Sequence, residues 1–90
     1  MEFRKGILFI RLKGDLNKDT IKGIIDKDFK YVVLNIDDMY SIDSYSIKYL
    51  NKIYRLYENN NNKFIICDKF NVSRKLLRDI PKINREYDAF

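Results

Sequence analysis

Tyr31 to Ile36 is a nearly unbroken run of β-branched and aliphatic residues, and from Ser44 to Glu58 apolar residues recur at three- and four-residue steps. A strand that is apolar on both faces needs cover on both sides. A strand followed by an amphipathic helix and another strand is the unit that lays strands parallel. In the helical stretch Ile47, Leu50, Ile53, Tyr54 and Tyr57 form the apolar stripe, with Lys48, Asn51, Lys52, Arg55 and Glu58 opposite. The asparagines Asn59 to Asn62 have low helix propensity and tolerate left-handed conformations, so they end the helix and lead into a further strand, Phe64 to Cys67.

The flanking segments fit the same scheme. Ile7 to Leu12, apolar apart from Arg11 and bounded by Gly6 and Gly14, reads as a strand between turns, with a hairpin at Lys5-Gly6 and Phe3 beginning its partner strand. Asn17 is placed to cap a short helix with Ile21, Ile24 and Ile25 on one stripe and Lys18, Lys22 and Asp26 facing out. Asn71 is placed to cap a last helix carrying Val72, Leu76, Leu77 and Ile80 on one face and stopped by Pro81. The tail from Ile83 to Phe90 adds a final short strand or helix. The expectation is one α/β domain over residues 1–90, a mixed four- to five-stranded sheet with α-helices from βαβ crossovers.

Composition narrows the function classes. Of the 90 residues 46% are apolar and 34% charged, which is globular composition, and no apolar run approaches the roughly 18 residues of a membrane span. Met1 to Arg4 carries no apolar leader, so a cytoplasmic protein without a membrane partner is expected. The single cysteine, Cys67, forms no internal disulfide, and without histidine there is no zinc site. Cys67 reads as a small buried apolar residue, since no His can activate it. The net charge of +5 is spread along a chain rich in Lys, Ile, Asn and Tyr, with no run of like charges, and nucleic acid is not the expected partner. Lys69, Arg74, Lys75 and Arg78 read as the solvated side of the last helix, and Tyr45, Tyr49 and Tyr57 as packing residues.

In an open α/β sheet functional groups collect beyond the carboxyl ends of the strands. There the chain places Asp37, Asp38, Ser41, Asp43 and Ser44, and after the next strand Asp68. With no histidine and no glycine-rich phosphate loop, acid–base, metal and cofactor chemistry lack their parts, and no enzyme activity, metal or cofactor is expected. Asp37 and Asp38 would turn the chain, and Ser41 or Asp43 would cap the long helix. Ser44, in the first helical turn beside a carboxylate, is a candidate phosphoacceptor.

The stretch Val32 to Leu50, VVLNIDDMYSIDSYSIKYL, resembles the core of the STAS domain, the fold of bacterial anti-sigma factor antagonists, in which an apolar strand leads through Ile/Met-Asp-Ser-x-Gly into a helix. Gly6 to Leu16 is similar to the family's opening strand and Gly-x-Leu turn, and Phe64 to Cys67 with Val72 to Leu77 to its fourth strand and last helix. The resemblance covers nearly the whole chain and implies a non-enzymatic regulator of transcription. In that family the unphosphorylated domain binds an anti-sigma factor that is also a serine kinase, the kinase ends this by phosphorylating the Ser after the Asp, and a phosphatase reverses it. That serine is Ser44 here. The implied contact surface is Asp37, Asp38, Asp43, Ser44, Tyr45, Ser46 and Lys48, on a monomer or weak dimer.

Two positions depart from the family pattern: Tyr45 stands where a small Ser or Thr is usual, and Ser46 where Gly is usual. Both are expected to enlarge the surface, and Ser46 is an alternative acceptor. A scaffold or assembly domain of the same fold, without phosphoregulation, is the second reading, and a small nucleic-acid-binding protein the third.

Overall fold

A computed structural model of the chain describes residues 1–21 and 29–90. The hairpin forms where the glycine signalled it: strands β1 (Glu2–Arg4) and β2 (Ile7–Leu16) pair antiparallel across Lys5 and Gly6, at φ 52° and 80°. Positive φ at both central residues is what a type I′ turn requires, and the twist of that turn matches the strands it joins. Helix α1 (Lys18–Ile21) follows, capped as expected by the Asn17 side chain, whose Oδ1 accepts from Asp19 N at 2.9 Å and Thr20 N at 3.2 Å. Lys22, Ile24, Ile25 and Asp26, assigned to the same helix, lie outside the described residues.

Strand β3 (Tyr31–Ile42), helix α2 (Ser44–Asn59) and strand β4 (Lys63–Cys67) form the central crossover, and β5 (Lys82–Ile83) adds a last short strand. The sheet runs in sequential order, β1 to β5, with β2, β3, β4 and β5 parallel, so β3 sits in its middle. Strand alternation divides the core. Leu8, Ile10, Val32, Leu34, Ile36, Phe64 and Ile66 face α2, where Leu50, Ile53 and Tyr57 meet them, with Tyr57 and Phe64 at a ring separation of 5.6 Å. Ile7, Phe9, Val33 and Cys67 face the other way and are covered by Ala89 of the 3-10 turn Glu86–Ala89. Asn61, at φ 58°, ends α2, with Asn62 N donating to the Tyr57 carbonyl at 2.8 Å.

Three sequence expectations are corrected. Gly14 does not end β2; it sits inside the strand at φ 78°, at a register shift against β3. Only glycine adopts that φ without strain, and a bulge is where strands use it. Asp37 and Asp38 do not turn the chain, because β2 keeps pairing β3 through Lys13↔Asp38 to Leu16↔Ile42, with the extra residue of each register shift taken up in β3. The helix expected from Asn71 to Ile80 is a series of turns. Asn71, at φ 58°, caps nothing; instead the buried Asp68 carboxylate accepts from Val72 N at 3.1 Å, Ser73 N at 2.8 Å and Ser73 Oγ at 2.6 Å. A helix N-cap accepts two or three residues ahead; these bonds reach four and five residues ahead and hold a wider turn. Leu77 and Ile80 reach the core, whereas Val72 and Leu76 stay exposed.

The C-terminal segment is fastened by charge. Glu86 accepts from Arg11 Nε at 2.9 Å, Arg11 Nη2 at 2.6 Å and Asn35 Nδ2 at 2.7 Å, and Arg11 Nη2 also reaches Glu2 at 2.9 Å. The Arg11 guanidinium, helped by the Asn35 amide, holds the Glu86 carboxyl below its ordinary value of 4.5. A carboxyl depressed in the folded state contributes stability above its unfolded pKa and loses it as pH falls through the folded value. Glu86→Gln is therefore expected to unfold earlier than the parent in urea at pH 7, and the gap is expected to close as the pH falls below 4.5. A gap that persists at low pH would mean the tie is not ionic.

Candidate functional site

The junction between β3 and α2 is organised by Asp43. At φ −90° and ψ 170° it is the N-cap of α2: Oδ1 accepts from Ser46 N at 2.8 Å, and its carbonyl accepts from Ile47 N at 3.1 Å. Oδ2 accepts from Lys18 N at 3.3 Å, at the start of α1, and Asp43 N donates to the Leu16 carbonyl at 3.0 Å. One residue thus ties the end of β2 to the first turns of two helices. The Ser46 side chain, and after it the Ser46 N–H, hold the Asp43 carboxyl below its ordinary range. Asp43 is ionised and committed to its cap.

Ser44 is the first residue of α2 and is exposed; its hydroxyl makes no hydrogen bond among the described residues. The neighbouring Ser41 hydroxyl is engaged, donating to Asp15 Oδ1 at 2.7 Å. Tyr45 is 41% exposed and stacks on Tyr49 with ring centroids 6.5 Å apart. Lys48 is exposed one turn along, and with Tyr45, Tyr49 and Lys52 it borders a shallow hollow.

Ser46 points the other way. It is fully buried, on the stripe of Leu50, Ile53 and Tyr57, and its Oγ has no hydrogen-bond partner among the described residues. It neither enlarges the surface nor presents a hydroxyl to a kinase, so its reading as an alternative acceptor and as a contact residue is corrected. The spacing 46, 50, 53, 57 is helical, and that signal was present in the sequence. A buried hydroxyl without a partner costs about 1–3 kcal/mol, and Ala is the better helix former. Ser46→Ala removes this unpartnered buried hydroxyl but also the side chain that holds the Asp43 carboxyl low, so the two effects oppose and the urea midpoint at neutral pH is expected to move by less than about 1 kcal/mol at unchanged m-value. A larger loss would mean the hydroxyl is bonded to the Asp43 carboxylate.

The remaining expected contact residues stand apart. Asp37 Oδ1 accepts from Lys69 N at 2.8 Å and fixes the turn after β4. Asp38 is exposed, opposite Lys13. In register Asp38 stands opposite Lys13 and Ile42 opposite Leu16, three residues apart on β2; at about 3.3 Å per residue both aspartates therefore lie at least roughly 10 Å along the sheet from Asp43, so the seven expected residues form two surfaces. Cys67 is buried, and burial pushes its thiol up to about 11, which leaves it unreactive at neutral pH. Among the described residues no His, Cys, Asp or Glu group is placed to hold a metal ion, and no helix is long and apolar enough to cross a membrane. Sequence reasoning missed the Asp68–Ser73 clasp and the Glu86–Arg11–Asn35 cluster, whose members come from distant segments without a shared period. In comparison with known proteins, no family model and no curated protein matches the chain.

Proposed function

We propose that the chain is a non-enzymatic, protein-binding regulator of the anti-sigma factor antagonist kind, a variant of the STAS architecture whose binding is switched by phosphorylation of Ser44. The observation that carries this reading is the exposed Ser44 hydroxyl, without a hydrogen bond among the described residues, on the first turn of a sixteen-residue helix, beside a carboxylate already committed to capping. Of the three serines at this junction, Ser41 is bonded and Ser46 buried, which leaves Ser44 as the accessible acceptor.

A phosphate brings about −1.5 to −2 charge and three acceptor oxygens. At a helix N-terminus the dipole and the free N–H groups tolerate it, and Lys48 stands one turn on. The host domain keeps its fold while the contact surface changes sign. The serine's place after the apolar central strand, at the start of a helix, agrees with the resemblance. The partner is a cytoplasmic anti-sigma factor with serine kinase activity, and a phosphatase resets the switch. Incubating the protein with candidate kinases of its own genome and locating phosphate by mass spectrometry tests this. Phosphate on Ser44, lost in Ser44→Ala, is the expected result; a kinase partner that binds the chain and leaves Ser44 unmodified would remove the switch.

A further inference from the structure

The layer that covers one face of the sheet is basic and apolar at once on its outer side. Helix α2 and the turns Lys69–Ile80 pack on that face together, sharing a core through Leu50, Ile53 and Tyr57 on the one and Leu77 and Ile80 on the other. The Glu58 side chain, burial and the charges of Glu58 and Asp79 raise the Tyr54 hydroxyl above its ordinary range, so the two segments adjoin and their two anions gather at one place. On the side of α2 away from the core, Tyr45, Lys48, Tyr49, Lys52 and Leu56 follow at three- and four-residue steps, with Arg55 beside them. In the turns Ser73, Leu77 and Ile80 are buried, which leaves Lys69, Arg74, Lys75 and Arg78 exposed. Among these cations stand exposed apolar side chains: Leu56 at 46%, Phe70 at 62%, Val72 at 55% and Leu76 at 47%.

Of the chain's 18 cations seven lie in these two segments, and of its 13 anions two, Glu58 and Asp79; the other 11 of each cancel, so the segments carry the whole net charge of +5. None of the seven cations forms an ion pair among the described residues. Four carboxylates border the face. Asp37 accepts from Lys69 N, Asp43 from Ser46 N and Lys18 N, and the buried Asp68 from Val72 N and Ser73, while Asp38 is exposed opposite Lys13. Counted in full with Lys13 they leave the face at +2, and its outer side is the positive one, because three of the four are turned onto backbone N–H groups of the domain itself. A nucleic acid would stack bases on free ring faces, yet Tyr45 is stacked on Tyr49 and Lys69 Nζ lies over the Phe70 ring at 5.2 Å, and Leu56, Val72 and Leu76 gain nothing from a polyanion. A second copy of the chain would oppose two positive faces. A bilayer of anionic lipid accepts both chemistries, since apolar tips enter the headgroup boundary while lysine and arginine stems reach to the lipid charges. We infer that the face formed by α2 and the turns Lys69–Ile80 docks on an anionic bilayer surface. Lying on a bilayer needs no spanning helix, and the inference does not rest on Ser44.

The test sediments the full chain with vesicles of phosphatidylcholine, alone or mixed with phosphatidylserine. Binding to the phosphatidylserine vesicles is expected to be at least about tenfold tighter than to phosphatidylcholine, and to be lost as salt shortens the screening length from about 10 Å at ~0.1 M to about 3 Å at ~1 M. Lys52→Glu reverses one outward charge and is expected to weaken binding about tenfold. Leu76→Ser removes one apolar tip and is expected to weaken it about threefold or more. Both positions are exposed and stand on separate elements, so each variant keeps the core. Arg85→Glu makes the same change in net charge at the head of the Glu86–Ala89 turn, on the opposite sheet face, and is expected to leave binding unchanged. Equal binding to the two kinds of vesicle, a loss in Arg85→Glu as large as in Lys52→Glu, full binding by Leu76→Ser, or no vesicle binding would each overturn the inference. A single-stranded oligonucleotide bound more tightly than the vesicles would assign the face to nucleic acid instead.

Discussion

Replacing Asp43 by Ala is expected to lower the thermal midpoint by about 5–10 °C, a loss of the size that follows from removing a helix cap in a domain of this length. The substitution leaves Ser46 N without its acceptor at the head of α2 and removes the carboxylate that Lys18 N meets at the head of α1. Both helices begin at the same end of the β2–β3 ribbon, so fraying one loosens the packing of the other. Asp43→Asn keeps an oxygen acceptor for Ser46 N and is expected to lose less than half as much. Because the Ser46 hydroxyl and N–H depress the folded pKa of Asp43, its contribution is present above the ordinary value of 3.8 and is lost as pH falls through the folded one. The parent is therefore expected to approach Asp43→Ala in stability on acidification, as followed by circular dichroism. An unchanged midpoint in Asp43→Ala at neutral pH would remove Asp43 from its place as the clasp of the junction. For the same reason, weaker partner binding by Asp43→Ala does not by itself make Asp43 a contact; Asp43→Asn separates cap from contact.

The parts of the fold legible in the sequence are those set by local chemistry. Lys5-Gly6 announces a tight turn, Asn17 and Asp43 sit where helices need acceptors, and the stripe Ile47, Leu50, Ile53, Tyr57 specifies which face of α2 is buried. Where local signals conflicted with pairing, pairing won. Asp37-Asp38 looks like a turn, yet a neighbouring strand that continues to offer hydrogen bonds carries β3 through it. Asn71 with Val72, Leu76, Leu77 and Ile80 has helical spacing, yet the buried Asp68 carboxylate captures the amides that would begin the helix. At the site, the positions of Asp43 and Ser44 were legible from the strand-to-helix handover. The inward turn of Ser46 was legible only by extending the apolar stripe to a polar residue, and the separation of Asp37 and Asp38 from Ser44 required knowing that β3 continues, bulged, past them.

Phosphorylating Ser44 is expected to weaken binding to a kinase-type partner by about a hundredfold, while leaving the helical circular dichroism of the free chain unchanged. The phosphate stands next to the Asp43 carboxylate, which is ionised and cannot move away without uncapping α2. In the free chain water screens this pair, and the exposed Lys48 offsets part of the added charge. In a complex both anions are enclosed together. Two unit charges about 5 Å apart repel roughly four times more strongly at an effective dielectric of ~20 than in water, a difference that corresponds to about two powers of ten in affinity. Ser44→Asp carries less charge and fewer acceptors than a phosphate, so about a tenfold loss is expected of it, and Ser44→Ala should bind as the parent does. Calorimetric titration of the partner with the four forms gives the ranking. Equal affinity of the phosphorylated and unmodified chains would show that the exposed serine, although well placed for a kinase, lies outside the contact it was proposed to control.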